Sequence, residues 1–264
     1  MGGGSGRSPH PVPPRTTGRE ERVPRGSPSP AERERAGEGA PVVPRGLFVT
    51  ATDTGVGKTE ICCALLRARR RGGLDLVALK PAQSGHVPGE ASDAERLREA
   101  MDRAEPLEAV CPYTFAAPLA PAVAARLEGK ELSFARVLEG ARALAARHAA
   151  VLVEGAGGLF TPLTARETYA DLAVALGLPV LVVARAGLGT VNHSVLTVEA
   201  LRARGLAVAG LVLNRATPVA DPSEPYNAAE IERLSGARVL ASLPFEPDIA
   251  RRAGHADLLA EVKF

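Results

Sequence analysis

The amino-acid sequence predicts an α/β fold built on a doubly wound, mostly parallel sheet. From Gly46 onward, short apolar runs alternate with segments of 3.6-residue periodicity, which is typical of successive strand–helix units. Most runs are apolar on successive residues, as in strands buried on both faces of a parallel sheet. Glycines and polar residues follow the runs directly, at the edge where ligands of such sheets bind.

The elements follow in chain order. Six apolar runs are predicted strands: Gly46–Thr50, Asp75–Leu79, Ala149–Val153, Pro179–Ala184, Ala207–Leu213 and Arg238–Leu243. Six periodic segments are predicted helices: Lys58–Arg71, Ser92–Met101, Ser133–Arg147, Thr168–Leu176, Val191–Arg204 and Ala228–Leu234.

The first 45 residues differ in composition from the rest of the 264-residue chain. They contain 17 of its 49 Gly and Pro residues and no Leu, Ile, Phe, Trp or Tyr. Such a segment buries too little apolar surface to offset the entropy of ordering it. We therefore expect a disordered tail over residues 1–45 and one folded domain over residues 46–264.

Charge and hydropathy argue against two classes of partner. The tail holds eight Arg and five Glu, which leaves 24 basic and 25 acidic residues in the predicted domain. A near-neutral domain with 3% aromatic residues lacks the usual features of a nucleic-acid-binding surface. No run of 18 apolar residues and no apolar signal segment is present, so we expect a cytoplasmic protein without a membrane partner.

A phosphate-binding loop is predicted where the first strand meets the first helix. Gly55-Val56-Gly57-Lys58-Thr59 allows backbone N–H groups to face phosphate oxygens at a helix N-terminus. Lys58 would reach the β- and γ-phosphates and Thr59 would bind Mg²⁺. The chain has 28 Arg and only four Lys, which makes a lysine at this position informative. The alternative is a glycine-rich helix start without a nucleotide.

Acidic residues near the predicted strand ends suggest a magnesium site. Glu154 ends an apolar strand and precedes glycines, where a carboxylate would be costly unless a cation pairs with it. Asp93 could supply a second carboxylate, although an Asp at a helix start also acts as a cap. Asp53 is a third candidate, with a role in shaping the loop as the alternative.

Together, these motifs resemble those of the ATP-dependent dethiobiotin synthetase family within the P-loop NTPase superfamily. The resemblance extends from about Leu47 to Val262 and excludes the tail. Its residues are Ala51-Thr-Asp-Thr-Gly-Val-Gly-Lys-Thr59 (with Ala51 in place of the family's Gly), Lys80-Pro-Ala-Gln-Ser-Gly85, Ser92-Asp-Ala94, Val153-Glu-Gly-Ala-Gly-Gly158, Gly189-Thr-Val-Asn-His193, Asn214 and Leu243-Pro244.

The resemblance implies an ATP- and Mg²⁺-dependent cyclo-ligase of biotin biosynthesis. It implies that 7,8-diaminononanoate takes up CO₂ to form a carbamate, that ATP phosphorylates the carbamate, and that the second amine closes the ureido ring. It also implies a homodimer. The site residues are implied as Lys58 and Lys80 for catalysis; Thr54, Gly55, Val56, Gly57, Lys58, Thr59, Asn214 and Pro244 for ATP; Thr54, Lys80, Ser84, Gly157, Gly158 and Asn192 for the substrate; and Thr59, Asp93 and Glu154 for the metal.

Two other classes of P-loop protein remain as alternatives. A partition-type switch ATPase would share the fold, but usually carries an additional lysine early in the loop, where Thr52-Asp-Thr54 has none. A related amidotransferase synthetase would carry a glutaminase domain, for which this chain offers too few residues.

Overall fold

The computed structural model describes residues 45–87, 89–102, 104–247, 259 and 261–263. All of them belong to one compact unit, Val43–Phe264. The tail predicted over residues 1–45 lies outside the described residues, apart from Arg45.

Six strands form one parallel sheet in the order β2-β3-β1-β4-β5-β6, which confirms the predicted fold class. From β1 the chain moves past the position of β3 to form β2 at the sheet edge, and then forms β3 between β2 and β1. It next passes β1 to form β4 on the other side. Loops at the carboxyl ends of β1, β2 and β3 are thereby brought together. The strands are β1 Gly46–Ala51, β2 Leu76–Leu79, β3 Ala150–Glu154, β4 Val180–Arg185, β5 Val208–Asn214 and β6 Val239–Leu243.

Eight helices connect the described strands or flank them. The connection from β1 to β2 runs towards one end of the sheet, and the connection from β3 to β4 runs towards the other. Because β–α–β crossovers are right-handed, these two connections place their helices on opposite faces of the sheet. The helices are α1 Lys58–Arg71, α2 Asp93–Ala100, α3 Leu107–Val110, α4 Pro121–Leu127, α5 Phe134–Arg147, α6 Tyr169–Leu176, α7 Thr190–Arg202 and α8 Glu224–Ser235. Within the described residues, no helix is both long and apolar enough to cross a membrane.

Three features of the helices differ from the prediction. The sequence pattern missed α3 and α4, because four and seven residues are too few to establish a 3.6-residue period. Helix α8 starts at Glu224, four residues before the predicted start at Ala228. Pro225 interrupts the pattern in the sequence, but proline is well tolerated in the first turn of a helix.

The core lies on both faces of the sheet, since β1, β2 and β3 are buried along their whole length. Cys62, Cys63 and Cys111 are free thiols buried in this core. Burial raises the pKa of Cys63 to about 12 and that of Cys111 to about 11. The three thiols are therefore packed as small apolar groups rather than as nucleophiles.

The close approach of β1 to β3 requires glycine at position 46, which can be tested by substitution. A Cβ added to Gly46 would lie 2.0 Å from the carbonyl oxygen of Val151 in β3. We expect Gly46→Ala to lower the free energy of unfolding by about 1–3 kcal/mol, because the strands must separate to admit the methyl group. Gly140→Ala is the control: its Cβ meets nothing within 4 Å, and alanine in the interior of α5 should stabilise by about 0.5–1 kcal/mol. Denaturant titration measures both, and a Gly46→Ala protein of wild-type stability would contradict this packing.

Candidate active site

The turn between β1 and α1 has the backbone geometry of a phosphate-binding loop. Gly55 and Gly57 have φ values of 74° and 96°, in the left-handed region that favours glycine. A Cβ on Gly57 would lie 2.3 Å from Nδ2 of Asn214, and that nitrogen donates to the carbonyl of Val56 at 2.9 Å. Asn214 thus fixes the loop against the end of β5, and this contact requires glycine at position 57.

The alanine at the start of the motif lies in the sheet and not in the turn. Ala51 is the last residue of β1, is fully buried, and pairs with Val183 of β4. Its methyl group therefore belongs to the sheet rather than to the part of the loop that would face phosphate.

Four side chains from four elements meet just beyond the carboxyl ends of β2 and β3. Nζ of Lys80 donates to Oδ2 of Asp93 at 2.6 Å and to Oε1 of Glu154 at 2.7 Å. The hydroxyl of Thr59, in the first turn of α1, donates to the same Oε1 at 2.7 Å. The side chains of Lys80 and Glu154 are only 4% and 0% exposed, so this is a buried ion pair rather than a surface contact.

The two lysines of the site have different electrostatic surroundings. Burial alone would lower the pKa of Lys80, but the charges of Glu154 and Asp93 outweigh burial and raise it above its usual value. Burial lowers the pKa of Lys58, and the charge of Glu154 offsets this only in part. For Asp93, Lys80 outweighs the effect of burial and lowers the carboxyl pKa. The charge of Lys80 is thus compensated by two carboxylates of the protein, whereas that of Lys58 is compensated only in part.

The oxygen atoms at this point fit a magnesium ion bound together with a nucleotide. Oε2 of Glu154 is buried without a hydrogen-bond partner, as expected of an oxygen available to a cation. Thr59, Asp93 and Glu154 offer one hydroxyl and two carboxylates. The described residues contain no cluster of three or more His, Cys, Asp or Glu side chains that could hold a metal. Phosphate and water oxygens would have to complete the coordination, which is the usual arrangement for Mg²⁺.

Two cavities meet at the phosphate loop and share Thr54 and Gly55. The first, of about 670 Å³, is lined by Lys58, Thr59, Lys80, Asp93 and Glu154 together with Ser84 and Gly157. The second, of about 590 Å³, is lined by Val56 and Asn214. The predicted residues therefore fall into a group beside the acidic cluster and a group beside the end of β5.

Three predicted site residues lie outside these two cavities. Gly158 lines a neighbouring depression of about 390 Å³. Asn192 is exposed in the first turn of α7, and Pro244 is exposed directly after β6. Neither of the latter two lines a cavity that contains the phosphate loop.

Asp53 shapes the loop and does not face the acidic cluster. Its Oδ1 accepts the backbone N–H of Thr54 at 2.7 Å, its carbonyl accepts Nζ of Lys58 at 3.3 Å, and its Oδ2 pairs with Arg185 at the end of β4. Of the two roles open from the sequence, the structure supports the structural one.

Sequence reasoning missed several residues that surround the loop. Arg185 lines the second cavity. Arg96 of α2 and Glu60 of α1 form an ion pair at the wall of the first cavity. Charged residues on helices usually face solvent, so the sequence held no signal for these positions beyond the proximity of Glu60 to the P-loop motif.

The chain is similar to known proteins along most of its length. The AAA domain family matches residues 45–253. An ATP-dependent dethiobiotin synthetase of Anaeromyxobacter dehalogenans strain 2CP-1 is 78% identical over 209 residues, which cover 79% of this chain and 94% of that protein. The ATP-dependent dethiobiotin synthetase of Caulobacter vibrioides strain NA1000 is 45% identical over 219 residues, which cover 81% of this chain and 95% of that protein.

Among solved structures, the MinC:MinD cell division protein complex of Aquifex aeolicus matches with a TM-score of 0.51. The match covers 81% of this chain and 87% of that chain at 12% identity, so it concerns the fold alone. The curated relatives match along almost their whole length and at far higher identity. This chain belongs to the ATP-dependent dethiobiotin synthetase family.

Proposed function

We propose that the protein closes the ureido ring of dethiobiotin from 7,8-diaminononanoate, CO₂ and ATP at the cavity beside the acidic cluster. One amine takes up CO₂ as a carbamate, and a carbamate oxygen attacks the γ-phosphate to form a carbamic–phosphoric anhydride with release of ADP. The second amine then attacks the carbonyl carbon, the C–O bond to phosphate breaks, and phosphate leaves. The observation that carries the proposal is the buried Lys80–Glu154–Asp93–Thr59 cluster next to a phosphate loop.

The first step brings two anions together, so the site must supply positive charge in a fixed position. Lys80 is held by two carboxylates and stays protonated, at the wall of the cavity where we place the carbamate. Lys58 lies in the phosphate loop and is proposed to contact the β- and γ-phosphates. Mg²⁺ held by Thr59, Asp93 and Glu154 would supply further neutralisation of the phosphate charge when bound.

The nucleotide and the diamine are proposed to occupy the two cavities that share Thr54. Backbone N–H groups of residues 54–59 would bind the phosphates, and the base would lie near Asn214 in the second cavity. Pro244, exposed after β6, is proposed to lie against adenine. Ser84, Gly157 and Gly158 would border the diamine.

Diamine-dependent release of ADP tests the proposed function directly. ADP should form from ATP only when both 7,8-diaminononanoate and bicarbonate are present, and dethiobiotin should appear in equal amount. ATP hydrolysis at the same rate with and without the diamine would instead indicate a switch ATPase.

The buried free cysteines support our further proposal of a cytoplasmic, reducing compartment.

We also propose that the enzyme is a homodimer whose sites include residues of both subunits. Leu188, just before α7, and Leu196, on α7, are 76% and 60% exposed, and we propose that they belong to an apolar patch that a second copy covers. Asn192 lies between them and outside the cavity of its own chain. A second copy would bring Asn192 towards the carboxylate end of the bound substrate.

Mixed dimers test the shared site. Lys80→Ala and Asn192→Asp should each be poorly active alone, the second because a new carboxylate repels that of the substrate. Co-refolded together, they should regain about a quarter of the wild-type turnover, since half of the dimers are mixed and each mixed dimer has one intact site. Light scattering measures the assembly, and no gain of activity in proven mixed dimers would contradict the shared site.

Lys58→Ala and Lys80→Ala should separate nucleotide binding from turnover. Lys58→Ala should weaken ADP affinity as well as turnover, because Lys58 would bind phosphates before and during the reaction. Lys80→Ala should lower turnover by about 10²-fold or more with little change in ADP affinity. The control is Lys130→Ala, since Lys130 pairs with Glu128 away from the cavity. Equal ADP affinities in the two site variants would contradict this division of roles.

Glu154→Gln should raise the Mg²⁺ concentration needed for activity. Glutamine retains an acceptor for Lys80 and Thr59 but removes the charge that would hold the metal. We expect half-saturating Mg²⁺ to rise about tenfold or more, since even outer-shell partners of metal ligands typically contribute this much.

Asp93→Asn should also raise the half-saturating Mg²⁺ concentration. In free-energy terms, the effect of the double variant should be smaller than the sum of the two single effects, because both side chains act on one ion. Glu230→Gln, on the exposed side of α8, is the matched control. An unchanged Mg²⁺ requirement in Glu154→Gln would exclude Glu154 as a metal ligand.

A further inference from the structure

We propose that Arg185 is a positioning residue for nucleotide binding, which acts by holding Asp53 and, through Asp53, the first half of the phosphate loop. The proposal rests on the proposed function in one respect, that nucleotide phosphates bind at this loop. It concerns the ion pair of Asp53 with Arg185, which lines the second cavity, whereas the acidic cluster lines the first.

Arg185 is fixed by the sheet. It is the last residue of β4 and pairs in register with Asn214 of β5, the residue that holds the carbonyl of Val56. Its Nη2 pairs with Oδ2 of Asp53, while its Nε is buried and makes no hydrogen bond. The ends of two neighbouring strands therefore hold the loop at two separate points, Asp53 and Val56.

Asp53 connects Arg185 to two other residues of the loop, Thr54 and Lys58. One carboxylate oxygen pairs with Arg185, and the other accepts the N–H of Thr54 at 2.7 Å. The carbonyl of Asp53 accepts Nζ of Lys58 at 3.3 Å. The preceding residue, Thr52, donates its N–H to the carbonyl of Val183 at 3.0 Å, which continues the attachment of the loop to β4.

The ion pair is placed to affect ligand affinity more than folding. The side chains of Arg185 and Asp53 are 42% and 47% exposed, and solvent-exposed ion pairs contribute little to global stability. Arg185 nevertheless lines the same cavity as Thr54 and Gly55. A loop held in one conformation loses less conformational entropy when it binds phosphate, so the pair contributes through preorganisation.

Four proteins and ADP–Mg²⁺ as the probe test the proposal: wild type, Arg185→Ala, Asp53→Asn and the double variant. Asn at position 53 retains an acceptor for the N–H of Thr54 and removes the charge that pairs with Arg185. Titration calorimetry should show about a two- to fivefold rise in the ADP Kd for Arg185→Ala. The double variant should bind no more weakly than Arg185→Ala, because the two side chains act as one pair.

Further measurements distinguish positioning from a structural role. Turnover at saturating ATP and the melting temperature of Arg185→Ala should remain close to wild type, and Arg185→Lys should recover part of the affinity. The difference in Kd should shrink as salt rises, because salt screens an exposed pair. Arg233→Ala removes a comparably exposed pair on α8 and should leave ADP affinity unchanged.

Three results would overturn the positioning role. The ADP Kd of Arg185→Ala could equal that of wild type, with or without a lower melting temperature. Arg185→Ala could weaken binding by the same factor in the Asp53→Asn background, which would indicate direct contact with the nucleotide. The Kd could rise to the same extent at every salt concentration. Failure of wild type to bind ADP is a separate result, which would overturn the proposed function itself.

Discussion

The structure around the proposed site depends on the buried pair of Lys80 and Glu154. Lys80 directly follows the edge strand β2, Glu154 ends the neighbouring strand β3, and both charges are almost completely shielded from water. A charge buried there without any counter-charge would be strongly destabilising, and the pair meets this requirement within the protein. Asp93 brings α2 to the pair and Thr59 brings the start of α1. One electrostatic requirement thus holds four elements in register at the edge where the phosphate loop lies.

This arrangement leaves Lys58 with less compensation of its charge than Lys80. Burial lowers its pKa, and in this structure its ammonium group contacts the carbonyl of Asp53 at a relatively long 3.3 Å. A phosphate group beside it would oppose the effect of burial and favour the charged form. Phosphate binding and the charge of Lys58 would therefore favour each other, whereas Lys80 has its counter-charges within the protein. The difference explains why we assign the two lysines different roles.

Much of this was predictable because strand burial and motif position leave strong signals. The six strands follow from the apolar runs, Lys58, Lys80 and Glu154 follow from the residues at the ends of those runs, and Asp93 follows from a predicted helix start. The short helices α3 and α4 gave no period to detect. The partner of Asp53 depends on which strands are neighbours, and Arg185 is distant from it in the chain. The positions of Asn192 and Pro244 outside the cavities likewise depend on how the chain packs, which a motif does not encode.

Lysine and arginine occupy different surroundings near the phosphate loop: the lysines are buried, and Arg185 is more exposed. With 28 Arg and only four Lys, the two lysines of the site are buried, at 7% and 3% exposure. A compact ammonium group fits between oxygen atoms in a confined space, whereas a planar guanidinium carries five N–H donors that would all need partners there. Arg185 holds the loop from its more open side, where its side chain is 42% exposed and water can reach the guanidinium donors other than the buried Nε. Exchanging the two residue types would therefore leave donors unsatisfied at the site and lose the planar fork at the sheet edge, although the net charge would remain the same.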